Sequence, residues 1–397
     1  MGRPDRARMP RGRLAVLLAA GVSLLAGLDA ALLRLGVSAP VAGDSLAQLH
    51  GPLMIFGFVG TAITLERAVA LRSGARSPQH AWWGFASPVA AGVGALLAIL
   101  GASPLPVPGG RVLPGVAWTL STAVLAAIYL AVWRRQQSYA VLVQALGAFV
   151  GIGGAALWAR GFDTPQLVAW WAGMLVLTIV GERLELARVA FVAASAGGPR
   201  TEARILAESC VVVVALVASL LDPAWGYPLL GIALGVLVLD VAWHDVARRT
   251  IRSTGLVRFV AASMLAGYVW VMVPVVVWTA HGPAFAGYAY DAVVHSLTIG
   301  FVLSMIMAHA PVIVPAVVRS PLPYHPVMWA VWGLLQGGLL VRLVAGARQA
   351  GLAWQIGGTL SVVALLAFLV TMVTLVSSSR RRTGARSNTP ADAEVAP

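Results

Sequence analysis

The sequence predicts an all-α polytopic membrane protein with about twelve transmembrane helices, and three observations carry that expectation. Of its 397 residues, 59% are hydrophobic and 11% charged, a balance that excludes an ordinary soluble domain. Apolar stretches of roughly 20 residues, long enough to cross a bilayer core, recur along the whole chain. Arginines collect in alternate connections between those stretches. The net charge of +13 therefore reads as topology and gives no ground for a nucleic-acid partner, because no folded basic domain carries it. The lipid bilayer is the first expected partner.

The first segment covers about residues 13–36 and the second about 47–71. A third, about 81–101, precedes a Pro/Gly connection, SPLPVPGGRVLPG. Further segments are expected near 113–133, 139–159, 165–190, 204–221, 226–247, 257–280, 290–318, 325–345 and 351–376, each about long enough to span. Residues 1–12 read as an Arg-rich cytoplasmic start, 13–376 as one transmembrane domain, and 377–397 as a disordered cytoplasmic tail. No cleavable signal stands out, and the Arg-rich start suits a retained first helix.

Arginine sets the orientation. Arg3, Arg6, Arg8, Arg11 and Arg13 lead the chain, and Arg380, Arg381, Arg382 and Arg386 close it. Arg72, Arg134, Arg135, Arg183, Arg248 and Arg319 mark the same side, against only Arg34, Arg111, Arg160, Arg342 and Arg348 on the other. The positive-inside rule then puts both termini in the cytoplasm; the expected location is the cytoplasmic (inner) membrane. The single cysteine, Cys210, excludes an intrachain disulfide, an iron–sulfur cluster and a covalent CxxCH haem site.

Ionisable residues inside spans are functional candidates by default. His295 and His309 share the tenth segment, DAVVHSLTIGFVLSMIMAHAPVIVPAVV. On an ideal helix their spacing turns both imidazoles the same way, about 21 Å apart along the axis. His50 opens the second segment in QLHGPLMIFGFVG. His50 and His295 lie at matched depth on the expected outer side. Two neutral imidazoles there suit the axial positions of a haem b, which needs no covalent motif; the bland reading is a hydrogen bond across helices. Gly51, Gly57, Gly60 and Gly300 are expected to let a macrocycle or a helix approach closely.

His309 is the deeper cofactor candidate, with structural and proton-relay roles ahead of ligation. Pro311 and Pro315 follow it and free backbone carbonyls. His281, in TAHGPAF, is a candidate copper ligand, haem propionate partner or loop residue. His80 and His325 read as solvated. Glu66, Arg67, Glu182, Arg183 and Glu185 sit near segment ends, as interfacial ion pairs or a proton entry point. The second, sixth and tenth segments thus hold most of the intramembrane polar chemistry, and a period of four helices suggests three arcs of four.

These residues resemble a known family. HGPLMIFGF, residues 50–58, resembles the H-x-x-x-M-x-F-G-F stretch of the NnrS family, and HSLTIG, residues 295–300, is similar to its H-x-L-T-x-G stretch. That resemblance implies a haem- and copper-containing protein of about twelve spans linked to nitric oxide stress. More distantly, H-G-x-x-M, the histidine of the tenth helix and the arcs of four resemble subunit I of haem–copper oxidases and nitric oxide reductases. There the matching histidines hold a low-spin haem, which would be the role of His50 and His295. The H-x-H of the tenth helix in that family is replaced here by His295 and His309, and the sixth segment offers Glu182. A binuclear oxygen- or nitric-oxide-reducing centre is not expected.

The expected function is a haem b protein in redox chemistry, or in sensing or detoxifying a small gas such as nitric oxide or oxygen. An electron donor or respiratory complex would be its partner. A cofactor-free transporter or channel, passing Asp29, Glu66, Glu182 and His309, is the alternative, and an assembly factor is the third reading.

Overall fold

The computed structural model describes residues 10–41, 43–75, 77–103, 110–192 and 198–386. Among these, twelve helices are long and apolar enough to cross a membrane, and no strand forms. They are α1 (Arg11–Leu35), α2 (His50–Ser73), α3 (Gln79–Gly101), α4 (Val112–Arg135), α5 (Tyr139–Ala159) and α6 (Thr164–Leu186). The second half comprises α7 (Pro199–Leu221), α8 (Pro223–His244), α9 (Gly255–His281), α10 (Gly287–Val318), α11 (Val327–Ala347) and α12 (Gly351–Ser379). The all-helical, twelve-span expectation holds. The helix begun in α12 continues to Arg386, past the expected end at residue 376. The first nine residues and residues 387–397, including most of the expected tail, lie outside the described residues.

Local chemistry explains several boundaries. Gly36 ends α1 at φ 71°, donating to Leu33 O while Val37 donates to Leu32 O, the paired bonds of a Schellman cap. At the start of α8, the Asp222 carboxylate accepts the Ala224 N–H at 3.1 Å, and Pro223 takes the first helical position, where its missing N–H costs nothing. Arg319 ends α10 in the left-handed region.

Sequential helices pack as antiparallel neighbours, with α5 against α6 and α11 against α12 the most extensive pairs. The core runs through α6, whose apolar window is 83% buried, against 28% for α12 at the periphery. Phe56 of α2 meets Trp171 of α6 edge-on, at 5.5 Å between ring centroids. The α10 backbone packs against α6 and crosses α9 closely. Helices four apart in the chain (α2, α6 and α10) therefore meet in the interior.

Two departures from ideal α-helix matter. Leu53–Gly60 of α2 and Ser296–Leu303 of α10 are wound as π-helix, each eight residues long. Such windings are rare and often sit at functional sites. Each one follows a histidine: His50 by three residues, His295 directly.

Candidate functional site

His50 and His295 come together. Their ring centroids are 6.3 Å apart and their planes 24° from parallel. His50 is the first residue of its span, and His295 lies about two turns into α10. His309 goes elsewhere. It sits 14 residues further along α10, beyond the π stretch, and contacts Arg183 of α6.

Each ring is held through Nδ1. His50 Nδ1 lies 2.8 Å from the carbonyl of Gly27 on α1. His295 Nδ1 lies 2.9 Å from the Asp291 carbonyl and 3.1 Å from Asp291 Oδ1. A carbonyl only accepts, so Nδ1 carries the proton in both rings. In the neutral ring this leaves Nε2 with its lone pair. Metal-binding histidines are oriented in this way, with the second nitrogen donating to a carbonyl or carboxylate.

The two rings border a cavity of about 810 Å³. Cofactor sites commonly enclose about 300–1,000 Å³, mostly apolar with a few placed polar groups. Here the walls are side chains such as Leu28, Met54, Trp171, Leu297 and Val362, contributed by α1, α2, α6, α10 and α12. Three guanidinium groups, Arg34, Arg111 and Arg342, line it as well. The Asp291 carboxylate is fully engaged. Arg342 reaches it twice, Nη2 to Oδ1 at 2.6 Å and Nε to Oδ2 at 2.9 Å, and Trp354 Nε1 donates to Oδ2 at 2.8 Å.

Of the four glycines expected to admit a macrocycle or a helix, two admit a helix. A Cβ on Gly57 would strike Ser23 of α1, and one on Gly300 would lie 2.5 Å from Trp270 of α9. Gly60 faces its own helix carbonyl at Ile55. Only Gly51 of the four lines the cavity, where a Cβ would sit 3.3 Å from Trp171.

The deeper polar residues form a junction at the opposite end of the bundle. Arg67 of α2 contacts Glu66 at 2.6 Å, Glu182 at 3.0 Å and Glu185 at 3.4 Å. Arg183 forks onto Asp245 at 3.0 and 3.1 Å, and Tyr268 donates to the same carboxylate at 2.6 Å. His309 lies 3.4 Å from Arg183 Nη1 through Nε2 and 2.6 Å from the Met305 carbonyl through Nδ1. It does not line the two-histidine cavity.

His281 ends α9 and is exposed, also outside the cavity lining. His80 and His325 are exposed, as expected. Asp29 accepts the Val41 N–H at 3.1 Å, and Asp240 pairs with Arg204 at 2.7 Å. Neither reaches the Arg67 junction. Among the described residues, no group of three or more His, Cys, Asp and Glu is placed to hold a metal ion.

Sequence reasoning missed Asp291, Arg342 and Trp354 as site residues. Asp291 had a signal, since it stands four residues before His295 and shares its helix face. Arg342 had one too: an arginine inside a span, even toward its end, needs a partner. Gly27 had none, because its contribution is a backbone carbonyl.

A family model described as a domain of unknown function (DUF8744) matches residues 13–377. No curated protein and no solved structure matches the chain.

Proposed function

The chain belongs to the DUF8744 family, and from the geometry of its paired histidines we propose that it is a membrane protein that binds haem b between His50 and His295 and serves one-electron redox chemistry. The observation that carries this reading is the 6.3 Å separation of the two ring centroids. With both Nε2 atoms turned onto the line between the ring centres, two iron–nitrogen bonds of about 2 Å, plus roughly 1.1 Å from each ligating nitrogen to its ring centre, would add to nearly that distance. Direct hydrogen bonding between the rings would bring them closer, and each Nδ1 is already committed to its own partner. The surrounding cavity is large enough and apolar enough for a macrocycle. The resemblance of residues 50–58 and 295–300 to NnrS motifs supports the same cofactor and a link to nitric oxide.

When bound, the haem supplies an iron centre that cycles between ferrous and ferric states. The chain does the rest. His50 and His295 would hold the group through Nε2, Gly27 and Asp291 keep those rings in the tautomer that leaves Nε2 its lone pair, and the apolar walls would exclude water. Two imidazole ligands favour electron transfer, because a gas then needs one of them to leave. The test is a reduced-minus-oxidised visible spectrum of protein purified after haem-supplemented expression. A low-spin bis-imidazole spectrum is expected; protein that takes up no haem would end this proposal.

A further inference from the structure

The two histidines share one kind of partner and differ in a second. His50 has one neutral backbone acceptor, the Gly27 carbonyl. His295 has a backbone acceptor too, the Asp291 carbonyl at 2.9 Å, and in addition the Asp291 carboxylate at 3.1 Å, which is itself immobilised. Oδ1 of Asp291 receives His295 and Arg342, and Oδ2 receives Arg342 and Trp354. Three helices, α10, α11 and α12, converge on this one group. The fit is built for the guanidinium: Arg342 is 7% exposed, and a Cβ on Gly358 would lie 3.0 Å from its Nη1. Arg342 also lies over the Trp354 ring, 5.1 Å from its centroid, and Tyr288 braces that ring edge-on at 5.8 Å.

We infer that Asp291 is a positioning residue that makes His295 the retained axial ligand and leaves His50 as the one that exchanges for a small gas. This rests on the haem reading above. A hydrogen bond to an ionised acceptor is roughly twice as strong as one to a neutral acceptor. It also pushes electron density into the ring and raises the basicity of the ligating nitrogen. The Arg342 fork fixes the carboxylate so that it cannot turn away from Nδ1. His50 lacks that support, so its bond to iron is the weaker of the two. The ligand class that fits the vacated position is a neutral diatomic, because the walls beside His50, including Met54, Ile55 and Leu28, are apolar.

The inference is tested on full-length protein in nanodiscs. His50→Ala is expected to keep haem in a high-spin form that binds carbon monoxide, whereas His295→Ala loses haem. The reverse order overturns the assignment, and so does equal haem loss in both. Asp291→Asn removes the charge; it is expected to raise the midpoint potential and weaken haem binding about 10–100-fold. Asp291→Glu should restore part of both. If Asp291→Asn fails to fold, Trp354→Phe removes a single donor from the carboxylate and should shift the potential in the opposite direction, since the charge on Oδ2 is then less neutralised. An unchanged potential in each folded variant that keeps a low-spin spectrum overturns the role of Asp291. Histidine-selective nitrogen NMR of haem-free protein gives an arm independent of the cofactor. His295 should be the Nδ1–H tautomer in the parent and keep it in Asp291→Asn, where the backbone carbonyl of residue 291 still accepts, while its Nδ1 resonance shifts as the charged acceptor is lost; an unmoved resonance overturns the role of the carboxylate. An Nε2–H tautomer in the parent sinks the inference whether or not haem binds.

Discussion

Arg67 on α2 reaches Glu182 on α6 across 3.0 Å, and the next residue of α6, Arg183, reaches His309 of α10 at 3.4 Å. One helix thus ties two others together at the end of the bundle opposite the His50–His295 cavity. The same three helices meet at the cavity, through Trp171 and the two histidines. Charged residues persist in this interior because they are paired: removing a buried partner costs about 3–5 kcal/mol.

Removing Arg67 should therefore be far more damaging than removing an arginine at the surface. Arg67→Ala strands the carboxylates of Glu66 and Glu182, whose side chains are 19% and 14% exposed. A loss of about 3–5 kcal/mol is expected. Arg204→Ala breaks a pair whose guanidinium is 50% exposed, so the expected loss is about 0–1 kcal/mol. Denaturant or thermal unfolding in the same detergent measures both. Comparable losses would show that the junction is not under internal constraint.

The histidine set makes a spectroscopic prediction. His50→Ala and His295→Ala should each abolish the low-spin haem spectrum, because axial ligation by both rings creates it. His80→Ala and His325→Ala should leave it intact, since both residues are exposed and neither lines the cavity. His309→Ala should also keep it. An unchanged spectrum in His50→Ala would remove that residue from the ligand set.

Much of this was legible in the residues and some was not. Hydropathy and length gave the twelve spans, because a bilayer demands about 20 apolar residues whatever the neighbours are. The pairing of His50 and His295 was readable in part: the rings do lie side by side, but one opens its span and the other sits about two turns in, so span starts alone do not fix the match. The π windings were not, because an i→i+5 ladder in Leu53–Gly60 and Ser296–Leu303 is imposed by packing rather than by propensity. Gly57 and Gly300 were marked as places of close approach, but which body approaches is a tertiary fact: Ser23 and Trp270 occupy the space.

The glycines yield a packing prediction. Gly300→Ala puts a methyl 2.5 Å from Trp270 Cβ and Cγ, so α9 and α10 must separate. Overpacking of this kind costs about 1–3 kcal/mol. It should also loosen the cavity wall one turn below His295. Gly337→Ala on α11 meets nothing within 4 Å and should be close to neutral. Melting temperatures of the two variants in one lipid composition decide the matter, and equal values would contradict the close α9–α10 crossing.

Orientation is the remaining expectation with a direct test. Arginine bias places the α1–α2 connection outside and the α8–α9 connection, with Arg248, Arg249 and Arg252, in the cytoplasm. Cys210 is the single cysteine and is exposed on its helix, so Cys210→Ala gives a clean background. On that background, Val41→Cys and Ser253→Cys each introduce one exposed thiol in a connection. A membrane-impermeant maleimide should label Val41→Cys on intact cells. It should label Ser253→Cys only after permeabilisation, because an even number of spans separates that connection from a cytoplasmic amino terminus. Since His50 opens α2 immediately after the α1–α2 connection, the same pattern would place the two-histidine cavity on the outer side. The reverse pattern would put the cavity on the cytoplasmic side and require a cytoplasmic electron donor to reach it.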